Sequence, residues 1–415
     1  MNSSRFFVSL VSLLTAFAAS AETPGYTVTD LGPVGPFGQP FNVSNNSLAA
    51  GDALMGGAYH SILWYRGQQI DIGKFGFGGP NSVAFSVNVR AQVVGQAETS
   101  VPDPYREDFC GFGTNLECLP FIWQNGLMTP LPTLGGRSGV ANSINAQGQI
   151  VGAAENTTWE SACPPPQRFQ FRPVMWVNGK VQELPSVNSD PVGIAYAIND
   201  NGQIAGASGL CATFSPYFLA NIVPTHALLW QNGAVTDLGT LGGTGKFGGN
   251  IAFSVNNKGQ VVGNSDLAGD TANHGFIWQN GHMTDMGMLP GDVGSASLAL
   301  NDNGDVVGVS VDQNFNARSF LWRNNVMFDL NSLIPADSPL FLMLACSINA
   351  RGEIVGQAVD KTSGEVRGYM LTPGAGPANG SISPALREGP RPAVLPEDAP
   401  RSRVGRFGIR PGEPR

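Results

Sequence analysis

Charge is scarce in this chain. Only 13% of its 415 residues are Asp, Glu, Lys or Arg, against about a quarter in an ordinary soluble domain. The 31 acids and 23 bases leave a net charge of −8, which lacks the cationic footprint that a phosphate backbone requires, so no nucleic-acid partner is expected. The Ala, Glu, Lys and Arg runs of coiled coils are missing, and at 42% hydrophobic the chain is too apolar to be disordered throughout. Histidine, at four, and cysteine, at five, are few. No Gly-x-Ser-x-Gly elbow, phosphate loop, His-Glu-x-x-His helix or dinucleotide fingerprint occurs, so no cofactor is expected and no motif names a catalytic residue. Plentiful instead are glycine, at 54, and proline, at 30, which punctuate a turn-rich β protein.

The ends differ from the middle. Residues 1–21 carry Arg5, an apolar stretch from Phe6 to Ala19 and a small-x-small site at Ala19-Ser20-Ala21, the pattern of a secretory signal peptide. The stretch is interrupted by Ser9, Ser12 and Thr15, whereas a membrane span needs about 20 apolar residues. No second long apolar run follows, so a secreted or periplasmic chain with no membrane span is expected. Residues 374–415 hold eight Pro and seven Arg against four acids, which reads as a disordered tail. The folded domain is expected over 22–373.

That middle repeats itself. The clearest copy runs Ser254-Val-Asn-Asn-Lys-Gly-Gln-Val-Val-Gly263, then His274-Gly-Phe-Ile-Trp-Gln-Asn-Gly281, then Met283-Thr-Asp-Met-Gly287. The Gly263 position recurs at Gly51, Gly95, Gly152, Gly206, Gly308 and Gly356, and the Trp278 position at Trp64, Trp123, Trp176, Trp230 and Trp322, with Leu371 last. Each copy offers four short β-rich runs (strands A to D, A innermost), and Asn125-Gly126, Asn178-Gly179, Asn232-Gly233 and Asn280-Gly281 supply type I′ turns between C and D. Units of 44 to 57 residues with four antiparallel strands predict an all-β, seven-bladed β-propeller. The seventh copy stops after strand C, while Tyr26-Thr-Val-Thr-Asp-Leu-Gly32 matches the strand D motif. The N-terminal strand is therefore expected to complete the last blade and close the ring.

The phrases His226-Ala-Leu-Leu-Trp230, Thr236-Asp-Leu-Gly-Thr-Leu-Gly-Gly243 and Asn199-Asp-Asn-Gly-Gln-Ile204 resemble the HAF-repeat family of bacterial extracellular proteins, over about residues 26 to 373. The defining triplet is degenerate at His-Ser-Ile from 60, Leu-Pro-Phe from 119, Arg-Pro-Val from 172 and Arg-Ser-Phe from 318. The resemblance implies an exported repeat protein and carries over no catalytic residue.

Two sets of polar residues ask for an explanation. His60, His226 and His274 sit four residues before a blade tryptophan, where other copies have Arg172, Arg318 and Arg367, and an acid follows eleven residues later at Asp71, Glu183, Asp237, Asp285 and Asp329. Asp30 stands in for the last blade, and blade two has lost both members, with Leu119 and Pro130. Cross-strand geometry predicts a cation–carboxylate pair in six blades, and equivalent positions on separate blades diverge, so no metal site is expected. Asp200-Asn-Gly202 and Asp302-Asn-Gly304 read as tight turns, since they lack the later bidentate Glu of a calcium loop.

Function is sought where the repeats differ. From the strand B glycine to the strand C tryptophan position, blades one, five, six and seven span 13 to 15 residues, but blades two, three and four span 28, 24 and 24. These three enlarged BC loops contain Cys110, Cys118, Cys163 and Cys211, the out-of-register Trp159, and Phe109, Phe112, Phe169, Phe171, Phe214 and Tyr217. The favoured disulfides are Cys110 with Cys118 and Cys163 with Cys211. Cys346, at the Phe253 and Phe85 position, is expected as a buried free thiol, with an intermolecular bond as the alternative. Trp159, Glu155, Glu160, Phe109, Phe112, Phe169 and Tyr217 are the candidate binding residues, beside Glu98, Asp103, Glu107 and Asp108. Two readings stay open: a groove for a glycan or peptide, or small satellite cores beneath the loops. The functional expectation is a non-catalytic monomer binding an extracellular protein or glycan through these loops. The alternative is a hydrolase or lyase acting on an extracellular polymer with loop carboxylates.

Overall fold

The computed structural model describes residues 25–36, 38–165, 167–211 and 222–374. The expected signal peptide and tail lie outside them, apart from Gly374. Among the described residues, twenty-eight strands form seven four-stranded antiparallel sheets, each one a blade of a β-propeller. In six blades the strand order follows the chain, as in blade five: Ile251–Val255, Val261–Asp266, Asn273–Gln279 and His282–Asp285. The seventh joins Leu340–Ile348, Ile354–Asp360 and Val366–Gly374 to the N-terminal strand Gly25–Pro33, with Val28 opposite Leu371. The closing strand is as the repeat predicts.

The invariant strand B glycine has a steric cause. In every blade the strand A to strand B register slips by one residue beside it, at Phe41, Phe85, Asn142, Tyr196, Phe253, Leu298 and Cys346. This β-bulge presses strand A onto strand B: a Cβ added at Gly263 would overlap the Ile251 carbonyl oxygen, and one at Gly152 that of Val140. The extra residue lines a central cavity. Cys346 is accordingly not buried as expected but partly exposed at this bulge, outside any disulfide.

A second ring ties blade to blade. Strand A ends in Asn88, Asn145, Asn199, Asn256, Asn301 or Asn349, and each Nδ2 donates to a backbone carbonyl of the next blade. Its other hydrogen goes to the side chain four residues on, while Oδ1 accepts two N–H groups of the turn, as with Lys258 and Gln260 for Asn256. The blade tryptophans add further ties, with the indoles of Trp64, Trp176 and Trp230 donating to Leu31, Pro132 and Pro185 of the preceding blade's exit. Apolar layers fill the space between sheets, for example Val94, Leu131, Ile144, Ile150, Val174 and Trp176 between blades two and three, each such side chain contributing about 1.5–3 kcal/mol on burial.

In all six blades the expected His or Arg meets its carboxylate, Arg in three and His in three. His60 meets Asp71 at 3.0 Å, Arg172 meets Glu183 at 2.8 Å, His274 meets Asp285 at 2.9 Å, Arg318 meets Asp329 at 3.2 Å and Arg367 meets Asp30 at 2.8 Å. His226 lies 3.9 Å from Asp237 but only 2.9 Å from Asp190, which enters from the connection after blade three. The Asn-Gly turns have both residues at positive φ, such as Asn232 at 52° and Gly233 at 79°, as type I′ geometry demands.

Candidate functional site

Strands A and B meet at turns on one face of the ring, and the enlarged BC loops emerge on the other. In blade three the BC hairpin stays paired unusually far out, so that Trp159 at the end of Ile150–Trp159 stands opposite Phe169 at the start of Phe169–Val177. Blade two contributes the loop between Val93–Pro102 and Leu116–Gln124. Asp103 opens that loop by accepting the N–H groups of Tyr105 at 2.7 Å and Glu107 at 3.1 Å, an Asx turn that throws Tyr105 toward blade three.

The result is a triangle of rings. Tyr105, Trp159 and Phe169 lie with centroids 5.8 Å, 5.1 Å and 5.7 Å apart, each pair edge to face, the geometry that aromatic quadrupoles prefer. Trp159 is 53% exposed and Tyr105 45%, and the Arg168 guanidinium sits 5.8 Å from the Trp159 ring centre. Two disulfides fix the loops: Cys110–Cys118 with Cα atoms 5.7 Å apart, and Cys163–Cys211 at 4.8 Å, the latter bridging blades three and four. These are the expected pairings.

Beneath the rings lies a buried carboxyl layer. Glu107 reaches from blade two into blade three, where it accepts the N–H groups of Arg168 and, at 3.0 Å, Phe169. Glu155 accepts Arg137 N–H at 3.2 Å and Ser138 N–H at 2.9 Å, and the Gln167 amide donates to it at 3.1 Å. Burial pushes the Glu155 carboxyl up to about 8, with Glu107 nearby adding to the rise, and burial raises Glu107 as well. The same Gln167 amide sits between the two carboxyls, donating to Glu107 at 3.4 Å as well as to Glu155. Glu98 is buried likewise, accepting Asn81 Nδ2 at 2.8 Å and the Thr114 hydroxyl.

The candidate residues therefore separate, and the open acidic groove is corrected. Glu155 is fully buried and faces no solvent, because its oxygens are consumed by neighbouring amides. Phe109 packs edge-on against Phe171 at 6.0 Å within the core between blades three and four. Phe112 stacks on Tyr59 of blade one at 6.2 Å. Glu160 holds its own turn, accepting Ala162 N–H at 3.0 Å and Gln170 Nε2 at 3.0 Å, bonds that hold its carboxyl below the usual range. Phe214 and Tyr217 lie outside the described residues. Of the described candidates Trp159 alone is exposed; Phe169 is half-buried beside it, and exposed Tyr105 and half-buried Arg168 complete the patch. Those two partners carry no repeat signal, since Tyr105 precedes Trp159 by half a hundred residues and reaches it only through the blade stacking. Among the described residues no group of three or more His, Cys, Asp or Glu could hold a metal ion, and no helix is long and apolar enough to cross a membrane.

Comparison with known proteins gives a partial family match and distant shapes. Residues 57–171, from blade one into blade three, match a family described as a protein of unknown function, DUF3466. No curated protein matches the chain significantly. Among solved structures, the chain is similar to the β-propeller domain of the trilobed protease from Pyrococcus furiosus, at 13% identity and TM-score 0.41, covering 70% of this chain and 79% of that one. It is also similar to the acylaminoacyl peptidase of Pyrococcus horikoshii, at 10% identity and TM-score 0.42, covering 79% and 51%. A gluconolactonase from Xanthomonas campestris gives 10% identity and TM-score 0.38, covering 86% and 96%.

Proposed function

We propose that the chain is a secreted or periplasmic, non-catalytic propeller that binds a protein or carbohydrate partner on the BC-loop face of blades two to four. The supporting observation is the triangle of exposed Tyr105 and Trp159 with half-buried Phe169, with Arg168 at its edge. Trp, Tyr and Arg are the residues that dominate binding energy at interfaces, and they do so when held rigidly. Here the rings sit on two loops that disulfides and the Glu107 to blade three hydrogen bonds immobilise. The disulfides fit folding outside the cytoplasm. Kinship with HAF-repeat proteins is part of the same proposal and rests on the His226 to Trp230 and Thr236 to Gly243 phrases.

The hydrolase or lyase alternative is opposed by burial. Glu98, Asp103, Glu107 and Glu155 are all buried, and each accepts hydrogen bonds from loop groups, which leaves them serving the loops. The test uses glycan and peptide arrays with the full chain and the Trp159→Ala and Tyr105→Ala variants, followed by mass analysis of any ligand bound. Expected are at least about tenfold weaker binding with unchanged melting temperature, and a ligand recovered intact. Wild-type affinity in both variants overturns the binding face, and a cleaved ligand overturns the non-catalytic reading.

A further inference from the structure

The opposite face carries a second feature, independent of the BC loops. A cavity of about 300 Å³ lies on the propeller axis, lined by strand A and its following turn from all seven blades. That is the small end of ligand-pocket sizes. The bulges described above place four aromatic side chains in it as two adjacent pairs: Phe41 with Phe85, centroids 5.0 Å apart, and Tyr196 with Phe253 at 5.3 Å. Two residues before the bulge, Val83, Val140, Ile194, Ile251 and Ala296 are all buried. Side chains thus fill the axis on the BC-loop side, and the cavity is a cup that opens where strands A and B turn.

The chemistry of the cup has one sign. Its lining contains Asp200 and Asp302 but no Lys, Arg or His. The nearest cations in sequence, Arg90, Lys258 and Arg351, follow lining residues Val89, Asn257 and Ala350 without joining the lining, and Arg351 is held by Glu353 at 2.7 Å. The hydrogen-bond donors of the asparagine ring are also occupied: both hydrogens of Asn199 Nδ2 go to Gln203 and Asn256, and both of Asn256 Nδ2 to Gln260 and Asn301. A ligand in the cup would therefore meet aromatic rings and the two carboxylates, and the asparagine ring would offer it no free amide hydrogen. Aromatic faces and carboxylates both attract positive charge, and together they select a cation with an apolar body over an anion.

We propose that this cup is a binding site for a small organic cation of the ammonium class. The Phe41, Phe85, Tyr196 and Phe253 rings contact its apolar or methylated body, and Asp200 and Asp302 at the rim supply the countercharge. Asp200 uses one oxygen to accept Ala146 N–H at 2.9 Å, so Asn at 200 keeps that bond while losing the charge. Asp302 accepts Asn257 N–H at 2.8 Å through Oδ1 and Asn257 Nδ2 at 2.9 Å through Oδ2, so Asn at 302 loses the second bond along with the charge.

The experiment is calorimetric titration of the full chain with tetramethylammonium, choline, benzyltrimethylammonium and butylammonium, with 3,3-dimethylbutan-1-ol as the neutral isostere of choline. At least one cation is expected to bind more tightly than about 10 mM and about tenfold better than the alcohol. The Asp200→Asn/Asp302→Asn variant and, separately, Phe253→Leu should each weaken it several-fold, with melting curves showing that both stay folded at the titration temperature. Bound cation should also slow alkylation of Cys346 by iodoacetamide, because that thiol shares the lining. The proposal fails if no cation binds below about 10 mM, if the alcohol binds as well, if both variants bind like the wild type, or if Cys346 alkylation is unaffected at saturation.

Discussion

Asn256 shows how much one repeated residue carries. It makes four hydrogen bonds, two within its own turn through Oδ1, one to Gln260 and one across to Asn301 of the next blade. Replacing it by alanine orphans buried partners on both sides, so Asn256→Ala should cost about 2–5 kcal/mol, read as a lower denaturant midpoint. Asn256→Asp, which keeps the acceptors and loses both donors, should fall between the two. At Glu155 the effect depends on pH. The folded carboxyl holds its proton to about 8 while the ordinary value is 4.5, so between those values the folded state binds more protons than the unfolded chain. Stability must then fall as pH rises through that window, by up to about 1.4 kcal/mol per pH unit, and level off above it. Thermal melts at pH 5, 6.5 and 8 should show this decline in the wild type and a flatter profile in Glu155→Gln. An identical slope in both proteins would remove Glu155 as its source.

The four-stranded blade was readable at the element scale because each of its parts rests on a local rule. Turn chemistry marked Asn232-Gly233, and the eleven-residue spacing from His274 to Asp285 follows from hairpin register, with Phe276 facing Asp285. What depended on contacts between blades was not readable. His226 prefers Asp190, and Arg318 takes Asp292 at 2.9 Å as well as Asp329, because connections between blades deliver acids that no fixed spacing announces. The same limit separates Trp159, conspicuous as a tryptophan outside the repeat, from Tyr105, which matters only once blades two and three are stacked. Burial of Glu155 escaped the sequence for a related reason: its partner Glu107 belongs to another blade. The disulfides allow a test at this scale. Their sequence separations are 48 and 8, so loop-entropy arguments assign about 4 kcal/mol to Cys163–Cys211 and about 2.5 kcal/mol to Cys110–Cys118. Paired Ser substitutions should lower the melting temperature in that order, and the reverse order would show that the short bridge matters through local packing instead.

At the scale of the whole molecule the ring is held shut by one strand. Gly25–Pro33 lies hydrogen-bonded along the full length of Val366–Gly374, and it does more than cover an open sheet edge. Leu31 is buried in the core shared by blades one, six and seven, and its carbonyl receives the Trp64 indole N–H at 3.0 Å. Tyr26 is buried in the core shared by blades six and seven, and Asp30 pairs with Arg367 in the last blade. Removing Tyr26 to Gly32 would expose the edge of Val366–Gly374, orphan the Trp64 indole and leave Arg367 without its blade partner. Such a chain should melt at least about 10 °C lower, on the scale of about 2–4 °C per kcal/mol for a large domain, and should aggregate through the freed edge. A synthetic peptide of residues 25–33 added in excess should restore both properties, because the missing strand is short and its docking site is built by the other blades. A milder variant separates the strand's packing from its hydrogen bonds: Leu31→Ala, at a residue only 2% exposed, should cost about 2–5 kcal/mol while leaving the ladder intact. If the truncated chain matches the wild type in melting temperature and stays monomeric, the ring does not depend on this strand, and closure must be sought in the asparagine belt that joins Asn349 to Ser44 at 2.9 Å across the same junction.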